Sequence, residues 1–396
     1  MMRVLTLSNL YPNPVQPRKG VFVRERLRYV EQGGDVSCTV IAPVPWFPVA
    51  SERFGQYGEF ARVPKTSDDA GRTVYHPRYF LLPKIGARFA PRTYAHAVLR
   101  TLRQQRLGPF DVIDAHFMFP DAAAAILVGR ALGLPVVATA RGSDLNVMPA
   151  DRFAGPWIRQ AVECCDAAVA VSAALGEQFR VLGADESKVH VLRNGVDRGR
   201  FQSLDRGDCR RTLDLDGNIV LSVGNLVDVK GHDLLIAAMP SMPDCQVVIV
   251  GRGSNQQTLE AQAQALGCAD RLRFVTEVSQ DLLVQYYNAA DVLVLPSRAE
   301  GMPNVVLESL ACGTPVVATA VGGVPEILGA SQASKMIAER DPNALAEAVR
   351  QILAAAPSVE QVQADIANFD WEQTADALRV LFDQLASRTG IAQRVA

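Results

Sequence analysis

Short apolar segments of strand character alternate with helical segments along both halves of the 396-residue chain. In the first half, helical stretches such as 21–32, 122–132 and 173–182 separate the strand candidates. These candidates are Val4–Leu7, Cys38–Ala42, Val112–Ala115, Val136–Thr139, Ala167–Val171 and Val189–Leu192. The second half repeats the plan with Ile219–Val223, Gln246–Val250, Arg273–Val275, Val292–Leu295 and Val316–Thr319. Such alternation is typical of parallel sheets with crossover helices and predicts an α/β fold.

The chain is too long for one ordinary hydrophobic core, so two domains are expected. Residues 1–200 hold 26 Lys and Arg against 18 Asp and Glu, whereas residues 201–396 hold 14 against 24. Because the halves differ in charge, they are expected to face different partners. We predict doubly wound domains over 1–200 and 218–370, with a polar connection over 201–217. The carboxyl ends of two such sheets would face a central cleft, and ligands bind at those ends.

Composition excludes several classes of protein. The apolar fraction of 48% and charged fraction of 21% are those of a soluble globular protein. No apolar run approaches the roughly 20 residues of a membrane span, and the opening Met1–Ser8 becomes polar too early for a secretory signal. The seven cysteines include no CxxC pair, which argues against a disulfide framework or a zinc site. We therefore expect a protein of the reducing cytoplasm.

The most informative motif has two carboxylates, Glu300 and Glu308, with seven residues between them. It follows the apolar run Val292–Leu295, and the chain breaks at Gly301–Asn304 before a helical pattern begins. Unpaired N–H groups at a helix N-terminus favour an anion, whereas carboxylates accept hydrogen bonds from hydroxyl groups. A site that offers N–H groups to phosphate and carboxylates to hydroxyls suits a nucleotide-sugar.

Two glycine-containing loops could approach phosphate. Lys230 follows a strand in a loop that begins at Gly224, so it could reach a diphosphate as a point charge while the glycine admits a close backbone contact. Alone, this pattern also fits a surface lysine beside a capping glycine, and the glutamates downstream favour the first interpretation. Gly20 stands at a predicted helix start, where Arg18 and Lys19 add positive charge. A flexible loop before a helix remains the alternative there.

His116 directly follows the strand Val112–Ala115. A histidine at the carboxyl end of a strand can hydrogen-bond a sugar hydroxyl or accept a proton, although a lone histidine is often structural. The segment 140–144 follows the next strand and could line the same cleft. Asp214 and Asp216 match a metal-binding DxD pattern, but they lie before a strand in the connecting segment, which indicates a solvated turn. The sequence thus predicts neither a metal ion nor a cofactor.

The segment 72–106 is strongly basic, since residues 70–110 contain no Asp or Glu. Its cations are Arg72, Arg78, Lys84, Arg88, Arg92, Arg100, Arg103 and Arg106. The four-residue spacing from Lys84 through Arg88 and Arg92 predicts a basic helical stripe, extended by His96 and Arg100. Such a stripe attracts an anionic membrane surface or a phosphorylated acceptor, or is an ordinary solvated face. Nucleic acid is a poor partner, because the chain is slightly acidic overall and no stacking aromatics interleave these charges.

Together these residues resemble glycosyltransferase family 4, the retaining branch with the GT-B fold. The resemblance covers most of the chain and is strongest from Ser222 to Leu328. Its specific parts are Glu300-x7-Glu308, Gly224…Lys230-Gly231, Arg193-Asn-Gly-Val-Asp197 and Ala311-Cys-Gly-Thr-Pro-Val-Val-Ala318. The overall pattern is similar to members that build bacterial exopolysaccharide or teichuronic-type polymers.

The resemblance implies a role for each of these residues. Glu308 would hold the ribose hydroxyls, Glu300 the hydroxyls of the donor sugar, and Lys230 the diphosphate. Further donor contacts would come from Gly20, Gly224, Asn225, Gly301, Met302, Pro303 and Asn304, with His116 beside the reacting sugar. Many members carry arginine where this chain has Asn225 and histidine where it has Arg141, which leaves one phosphate contact and the role of Arg141 open.

The implied activity is a retaining, metal-independent hexosyl transfer from a UDP-, GDP- or ADP-sugar to a hydroxyl of a glycan or lipid-linked acceptor. It would serve bacterial cell-surface polysaccharide synthesis, in the cytoplasm or at the inner face of its membrane. The resemblance also implies that the helix over 371–390 crosses back onto the first domain. A sugar-nucleotide epimerase of the same fold and a non-catalytic nucleotide-binding protein are the alternatives.

Overall fold

The computed structural model describes residues 1–81, 86–276 and 278–395. The chain divides into two compact units. Unit 1 comprises Met1–Asn194 together with the segment from Trp371 onward, and unit 2 comprises Gly195–Asp370. Both are α/β, as the alternation of segments predicts.

Unit 1 is built on an eight-stranded sheet in the order β10-β9-β8-β7-β1-β2-β5-β4. All neighbours are parallel except β4 and β5, and Val4 of β1 lies opposite Val112 of β7. The strands of this unit are β1 (Met2–Leu7), β2 (Val36–Ile41), β3 (Val44–Pro45), β4 (Thr66–Asp69), β5 (Arg72–Tyr75), β6 (Arg78–Tyr79), β7 (Val112–His116), β8 (Val136–Ala140), β9 (Ala167–Ala170) and β10 (Val189–Val191). The short strands β3 and β6 form a separate parallel pair.

The helices of unit 1 bury one apolar face each against this sheet or one another. They are α1 (Val21–Gln32), α2 (Gln56–Arg62), α3 (Ala90–Gln105), α4 (Ala123–Leu132), α5 (Ser143–Asn146), α6 (Ala154–Cys164) and α7 (Ala173–Val181), with the last helix of the chain, Trp371–Val395, described below as α16. In α1 the buried residues Val23, Leu27 and Val30 recur at helical spacing. This spacing fixes which side of the helix meets the core.

The last helix, α16, belongs to unit 1 because its apolar face completes the core there. Leu378, Phe382 and Leu385 pack in the same cluster as strands β1, β2 and β7. At its first residue the ring of Trp371 stacks on Tyr29 of α1, with centroids 6.4 Å apart. Full burial of such side chains stabilises a fold by about 1.5–3 kcal/mol each.

Unit 2 is built on a fully parallel six-stranded sheet in the order β13-β12-β11-β14-β15-β16. Its strands are β11 (Asn218–Val223), β12 (Cys245–Val250), β13 (Leu272–Val275), β14 (Val292–Leu295), β15 (Val316–Thr319) and β16 (Lys335–Ile337). Its helices are α8 (Arg206–Leu213), α9 (His232–Ala238), α10 (Gln256–Ala265), α11 (Gln280–Ala289), α12 (Asn304–Ala311), α13 (Val324–Leu328), α14 (Pro342–Ala355) and α15 (Val359–Ala364). Near-continuous Val, Ile and Leu in β11, β12 and β14 reflect burial on both faces.

The segment 201–217 is not a free connection, contrary to the prediction. It lies inside unit 2 and contains α8. Arg206 and Arg210 of α8 both form salt bridges with Asp291, at 3.0 and 2.7 Å. Phe201 is buried against the ring of Tyr287. The polar composition that suggested a linker is therefore that of a helix held by ion pairs, and the boundary falls at Asn194.

The basic segment 72–106 is also organised differently from the predicted helical stripe. Its first part forms strands β5 and β6, Arg88 ends a short 3-10 turn, and α3 begins only at Ala90. Arg92, His96 and Arg100 share one exposed side of α3. Lys84, the first member of the predicted stripe, lies outside the described residues.

The strand orders locate the edges at which ligands bind. In unit 2 the order reverses between β11 and β14, and in unit 1 it reverses between β1 and β7. Open parallel sheets bind ligands beyond the carboxyl ends of strands at such switch points. In the described parts of the chain, no helix has both the length and the apolarity needed to span a membrane.

Candidate functional site

Two predicted donor-binding side chains meet at the switch point of unit 2. Lys230 follows β11, Glu300 follows β14, and Lys230 Nζ donates to Glu300 Oε1 at 2.7 Å. The same oxygen accepts a hydrogen bond from Ser297 Oγ at 2.6 Å. Lys230 is partly exposed and Glu300 is nearly buried. The carboxylate is thus held in one orientation while the ammonium remains accessible.

Backbone contacts fix the position of Lys230. It ends a 3-10 turn, and Gly231 follows with φ of +69°, a left-handed conformation that favours glycine. A Cβ at Gly231 would lie 2.1 Å from the carbonyl oxygen of Pro296. Arg298 N also donates to Val229 O at 2.8 Å. The loops after β11 and β14 are therefore joined through their main chains.

Gly224 has a different environment from Gly231. A Cβ at Gly224 would lie 3.6 Å from carbons of the Lys230 side chain, an ordinary van der Waals contact. The protein itself therefore does not require glycine at this position. The next residue, Asn225, is exposed. Space beside the backbone of this loop is open to another molecule.

His232, which the sequence analysis did not identify, lies under this loop. Its Nδ1 is 3.2 Å from Ser222 Oγ, and its Nε2 is buried without a hydrogen-bond partner among the described residues. Burial lowers the pKa of His232 to about 4, so the ring is neutral at neutral pH. No local pattern marks it, because its environment depends on the contact between the start of α9 and β11.

Glu308 occupies the second turn of α12 and has an unusual ionisation. Burial raises the pKa of its carboxyl to about 7, while a hydrogen bond from Tyr287 Oη, at 2.7 Å, acts in the opposite direction. Tyr287 is fully buried on α11 and was also missed by the sequence analysis. Its distance along the chain from Glu308 gives no local signal. The structure thus supplies a carboxylate whose charge changes near neutrality.

The segment between the two glutamates starts α12. Gly301, Met302 and Pro303 are buried, and the helix begins at Asn304 with no side-chain cap. The first N–H groups of a helix have no partner within it, so they favour a bound anion. The arrangement therefore combines one ammonium after β11, one carboxylate after β14, and the N–H groups and second carboxylate of the first two turns of α12.

In unit 1, His116 is fully buried at the end of β7. Its Nε2 is 2.8 Å from Asp114 Oδ2, and its Nδ1 is 2.6 Å from Arg141 Nη2. Because a guanidinium only donates, Nδ1 accepts and the ring proton lies on Nε2. Burial lowers the pKa of His116 to about 4, although Asp114 acts to raise it. Both ring nitrogens are thus engaged, and the histidine orients Arg141.

Arg141 is the partly exposed end of this buried network. Its Nη1 donates to Asn194 Oδ1 at 3.0 Å, and its guanidinium lies 4.9 Å from the ring centroid of Phe22. The predicted contact of His116 with a sugar stays a prediction. In this structure the side chain of Arg141 is partly exposed, whereas the imidazole of His116 does not reach the surface.

Gly20 lies in the loop after β1 and precedes α1, as the sequence indicates. Its φ is +57°, and a Cβ there would lie 2.2 Å from Leu10 O. The first turn of α1 has neither an acidic residue nor a side-chain cap. The helix start is therefore electrostatically suited to an anion.

The candidate metal residues take structural positions. Asp214 ends α8 in a left-handed conformation, and Asp216 accepts a hydrogen bond from Gln246. Across the described ranges, no three His, Cys, Asp or Glu side chains are grouped as metal ligands would be. All seven cysteines are free thiols.

Two protein-family models match the chain, one in each half. The model described as Glycosyltransferase Family 4 matches residues 24–200, and the model described as Glycosyl transferases group 1 matches residues 210–367. A protein of Bacillus subtilis (strain 168), assigned as the teichuronic acid biosynthesis glycosyltransferase TuaC, is 33% identical over 356 residues, 88% of each chain. The D-inositol 3-phosphate glycosyltransferase of Mycolicibacterium vanbaalenii is 32% identical over 330 residues, 75% of this chain and 73% of the relative.

Solved structures share the fold at lower sequence identity. Sucrose-phosphate synthase from Thermosynechococcus elongatus superposes with a TM-score of 0.79 at 20% identity, covering 98% of this chain and 100% of that protein. Anabaena HepE in complex with UDP-glucose superposes with a TM-score of 0.72 at 19% identity, covering 97% of this chain and 100% of that protein. The resemblance to family 4 is confirmed. The chain belongs to the glycosyltransferases and has the GT-B fold.

Proposed function

We propose that this glycosyltransferase moves a hexosyl group from a UDP-, GDP- or ADP-sugar to a hydroxyl of a glycan or lipid-linked acceptor, with retention of configuration. The observation that carries the proposal is the contact between Lys230 and Glu300 at the switch point of unit 2. A cation suits a diphosphate, and a carboxylate suits sugar hydroxyls. Few ligands other than a nucleotide-sugar require both groups side by side.

In the proposed donor complex, Lys230 and the N–H groups at the start of α12 bind the diphosphate. An ammonium has three N–H donors, so Lys230 can turn one towards phosphate and keep its bond to Glu300. Glu300 then accepts hydrogen bonds from the sugar, and Glu308 accepts them from the ribose. No metal ion or cofactor takes part in this proposal.

The same groups would lower the barrier to transfer. Breaking the anomeric bond leaves negative charge on the departing nucleoside diphosphate and positive character on the sugar. Fixed donors that face developing negative charge contribute strongly, and loss of one typically costs about 10²–10³ in rate. We propose front-face attack, in which the departing phosphate oxygen takes the proton of the acceptor hydroxyl. An inverted product anomer in proton NMR spectra would contradict this stereochemistry.

The relatives support a setting in cell-surface polymer synthesis. TuaC is named for teichuronic acid biosynthesis, and HepE was solved with UDP-glucose. By analogy, we place this chain in bacterial polysaccharide synthesis in the cytoplasm. This setting supplies both a nucleotide-sugar and a growing glycan.

Release of free nucleotide from a panel of UDP-, GDP- and ADP-sugars, with and without acceptor extract, tests the activity. We expect release from one donor that depends on acceptor. Lys230→Met should lower kcat/KM by about 10²–10³ without lowering the melting temperature. Lys65→Met, which removes an exposed lysine outside the site, is the matched control.

Two outcomes would contradict the proposed transfer. Conversion of one nucleotide-sugar into another without any acceptor would indicate an epimerase. Nucleotide binding that Lys230→Met weakens, with no turnover of any donor, would indicate a binding protein.

The exposed surface of α3 supports a location at the inner face of the membrane. Arg92 and Arg100, together with Arg78 and Phe80, line a groove of about 330 Å³. Phe80 is 50% exposed and Trp46 48%, with their ring centroids 6.4 Å apart. Basic side chains next to exposed aromatic rings bind anionic bilayer surfaces.

Sedimentation with lipid vesicles tests this location. The protein should sediment with vesicles containing phosphatidylglycerol and much less with phosphatidylcholine alone. Arg92→Glu combined with Arg100→Glu should abolish the difference, whereas Lys65→Glu should not. Equal binding to both kinds of vesicle would contradict an electrostatic membrane contact.

A further inference from the structure

Unit 1 contains a cavity of about 400 Å³ at the carboxyl edge of its sheet. The loop after β1 supplies Asn9 and Lys19, the loop after β2 supplies Pro43, and the loop after β7 supplies Phe117 and Phe119. The cavity thus lies at the switch point between β1 and β7, where open sheets bind ligands. Its volume is within the range of small-molecule sites, about 300–1,000 Å³.

The walls of the cavity combine aromatic rings with side-chain amides. Tyr57, Phe60 and Tyr79 contribute rings, while Asn13 and Gln16 contribute amides. Asn13 Oδ1 accepts hydrogen bonds from the main-chain N–H of Gln16, which holds this loop against the cavity. Flat apolar faces pack on the C–H face of a sugar or polyol ring, and amides can donate to and accept from hydroxyls. An aliphatic lipid chain would offer no hydrogen-bond partner to the remaining amide atoms, Asn13 Nδ2 and Gln16 Oε1.

Lys19 is the charged residue of this lining. Among the described residues around the cavity there is no arginine, aspartate or glutamate beside it. Its Nζ lies 5.9 Å from the ring centroid of Phe60, and within the described chain no carboxylate comes within 4 Å of it. Burial lowers the pKa of the Lys19 ammonium, while the carboxyl groups of Asp121 and Glu59, which are not in salt-bridge contact with it, act to raise that pKa.

Both of those acids accept hydrogen bonds from other residues. Glu59 Oε2 accepts a hydrogen bond from Gln16 Nε2 at 2.7 Å. Asp121 is fully buried and accepts hydrogen bonds from Asn9 N at 2.7 Å and from Tyr94 Oη at 2.5 Å. Burial raises the pKa of Asp121 to about 8, so this carboxyl is largely neutral at pH 7. Among the described lining residues, the cavity therefore presents the ammonium of Lys19 without a carboxylate in salt-bridge contact.

We propose that this cavity binds the acceptor, and that the acceptor is a sugar or polyol ring with one anionic group, a carboxylate or a phosphate, that pairs with Lys19. The inference rests on the proposed function and names the acceptor class for it. The rings hold the acceptor ring, and the amides meet its hydroxyls.

The test uses the full-length protein and three acceptors that share one ring and one aglycone. They are octyl β-D-glucoside, octyl β-D-glucuronide and octyl β-D-glucoside 6-phosphate. Binding is followed by saturation-transfer NMR and transfer by release of nucleotide. We expect tighter binding of the two anionic compounds than of the neutral one, and their order distinguishes carboxylate from phosphate.

Lys19→Met should weaken binding of the two anionic acceptors by about 10- to 100-fold, the contribution of a charge-assisted hydrogen bond. Its affinity for the neutral acceptor should be unchanged. Tyr57→Leu, which removes an aromatic ring from the cavity lining, should weaken binding of all three acceptors to the same extent. Lys65→Met should alter none of them. Nucleoside diphosphate affinity, measured by calorimetry, should be the same in all these variants.

Several results would overturn the inference. They are equal or tighter binding of the neutral glucoside, an equal loss for neutral and anionic acceptors in Lys19→Met, or a loss of nucleotide affinity in that variant. Absence of binding of all three acceptors would also overturn it. If nucleotide binding and donor turnover persist in these cases, only the acceptor assignment fails. If the wild-type protein binds and consumes no nucleotide-sugar, the proposed function fails.

Discussion

Donor affinity should depend on pH through Glu308. Glu308 is half-buried on α12 beside Tyr287, and its carboxyl has a pKa of about 7. Its ionised form accepts hydrogen bonds on both oxygens, and bonds from ribose hydroxyls to this charged acceptor are stronger than bonds to the protonated carboxyl. Affinity should therefore be highest above pH 8 and should fall as pH decreases through 7.

The magnitude follows from the ionised fraction. At pH 6 a group with a pKa near 7 is about one tenth ionised, so the apparent dissociation constant should be about tenfold higher than at pH 8. Glu308→Gln should bind about 10- to 100-fold more weakly at pH 8, the value of hydrogen bonds to a charged group. Its affinity should be almost the same at pH 6 and pH 8.

Isothermal calorimetry with an intact nucleotide-sugar is the suitable assay. A free nucleoside diphosphate has a terminal phosphate that titrates near pH 6, and its own ionisation would obscure that of the protein. The hydrogen bond from Tyr287 favours the ionised form of Glu308, so Tyr287→Phe should move the midpoint to higher pH. The adjacent Tyr286→Phe is the matched control, because the Tyr286 hydroxyl does not contact Glu308.

A donor affinity that is constant between pH 6 and pH 8, or that rises on acidification, would refute the reasoning. A 2′-deoxyribose donor provides a second check, since it removes one of the two hydroxyls. It should bind more weakly and show a smaller change with pH.

Protein stability without ligand tests the same ionisation independently. The folded-state pKa of Glu308 is raised above the unfolded value, so its contribution to stability is fully present below about pH 4.5 and is lost as pH rises through 7. Replacement by glutamine, which does not ionise, removes this decrease in stability above pH 7. Glu308→Gln should therefore raise the melting temperature more at pH 8 than at pH 5.

Two further pairs of substitutions test the loops and the core. Gly224→Ala should leave the melting temperature unchanged, because the new methyl group has room, but should weaken nucleotide binding in calorimetry. Gly231→Ala should instead lower stability to denaturant by at least about 1–2 kcal/mol, the cost of a left-handed conformation, since it also meets a carbonyl oxygen at 2.1 Å. Phe382→Ala, fully buried on α16, should cost about 3–5 kcal/mol in urea unfolding, whereas Val380→Ala, 57% exposed on the same helix, should cost under about 0.5 kcal/mol. Equal effects within either pair would contradict the structure.

The sequence predicted the central strands of both sheets well. Strands such as β14, Val292–Leu295, are continuous apolar runs because both faces of a parallel sheet are covered. Of the edge strands, β10 and β13 were predicted, whereas β4 and β16 were missed. β4 reads Thr-Ser-Asp-Asp and pairs at the sheet edge, where hydrogen bonds to β5 rather than apolar burial define it.

The meeting of Lys230 with Glu300 was predictable from the order of strands and loops. Both residues follow strands, and neighbouring parallel strands end at the same edge. The buried residues that contact the site from other elements were not predictable. Tyr287 and His232 reach it through tertiary packing, which leaves no spacing pattern in the chain.

Arg26 illustrates the limit of pattern reading within a helix. It lies in α1 next to the partly exposed Glu25, yet it is almost completely buried and donates to Thr139 Oγ1 at 3.3 Å. Residue type assigns arginine to the solvent side, although the spacing of Val23, Leu27 and Val30 puts this position on the buried face. Burial lowers the pKa of the Arg26 guanidinium and the charge of Asp114 acts to raise it, an environment that is visible only in three dimensions.

The placement of α16 has a consequence for synthesis on the ribosome. The core of unit 1 is complete only when Leu378, Phe382 and Leu385 have been translated, although its strands are made first. Unit 2, contiguous from Gly195 to Asp370, can finish folding earlier. The amino-terminal half must therefore wait with an uncovered apolar face, where chaperones could bind the nascent chain.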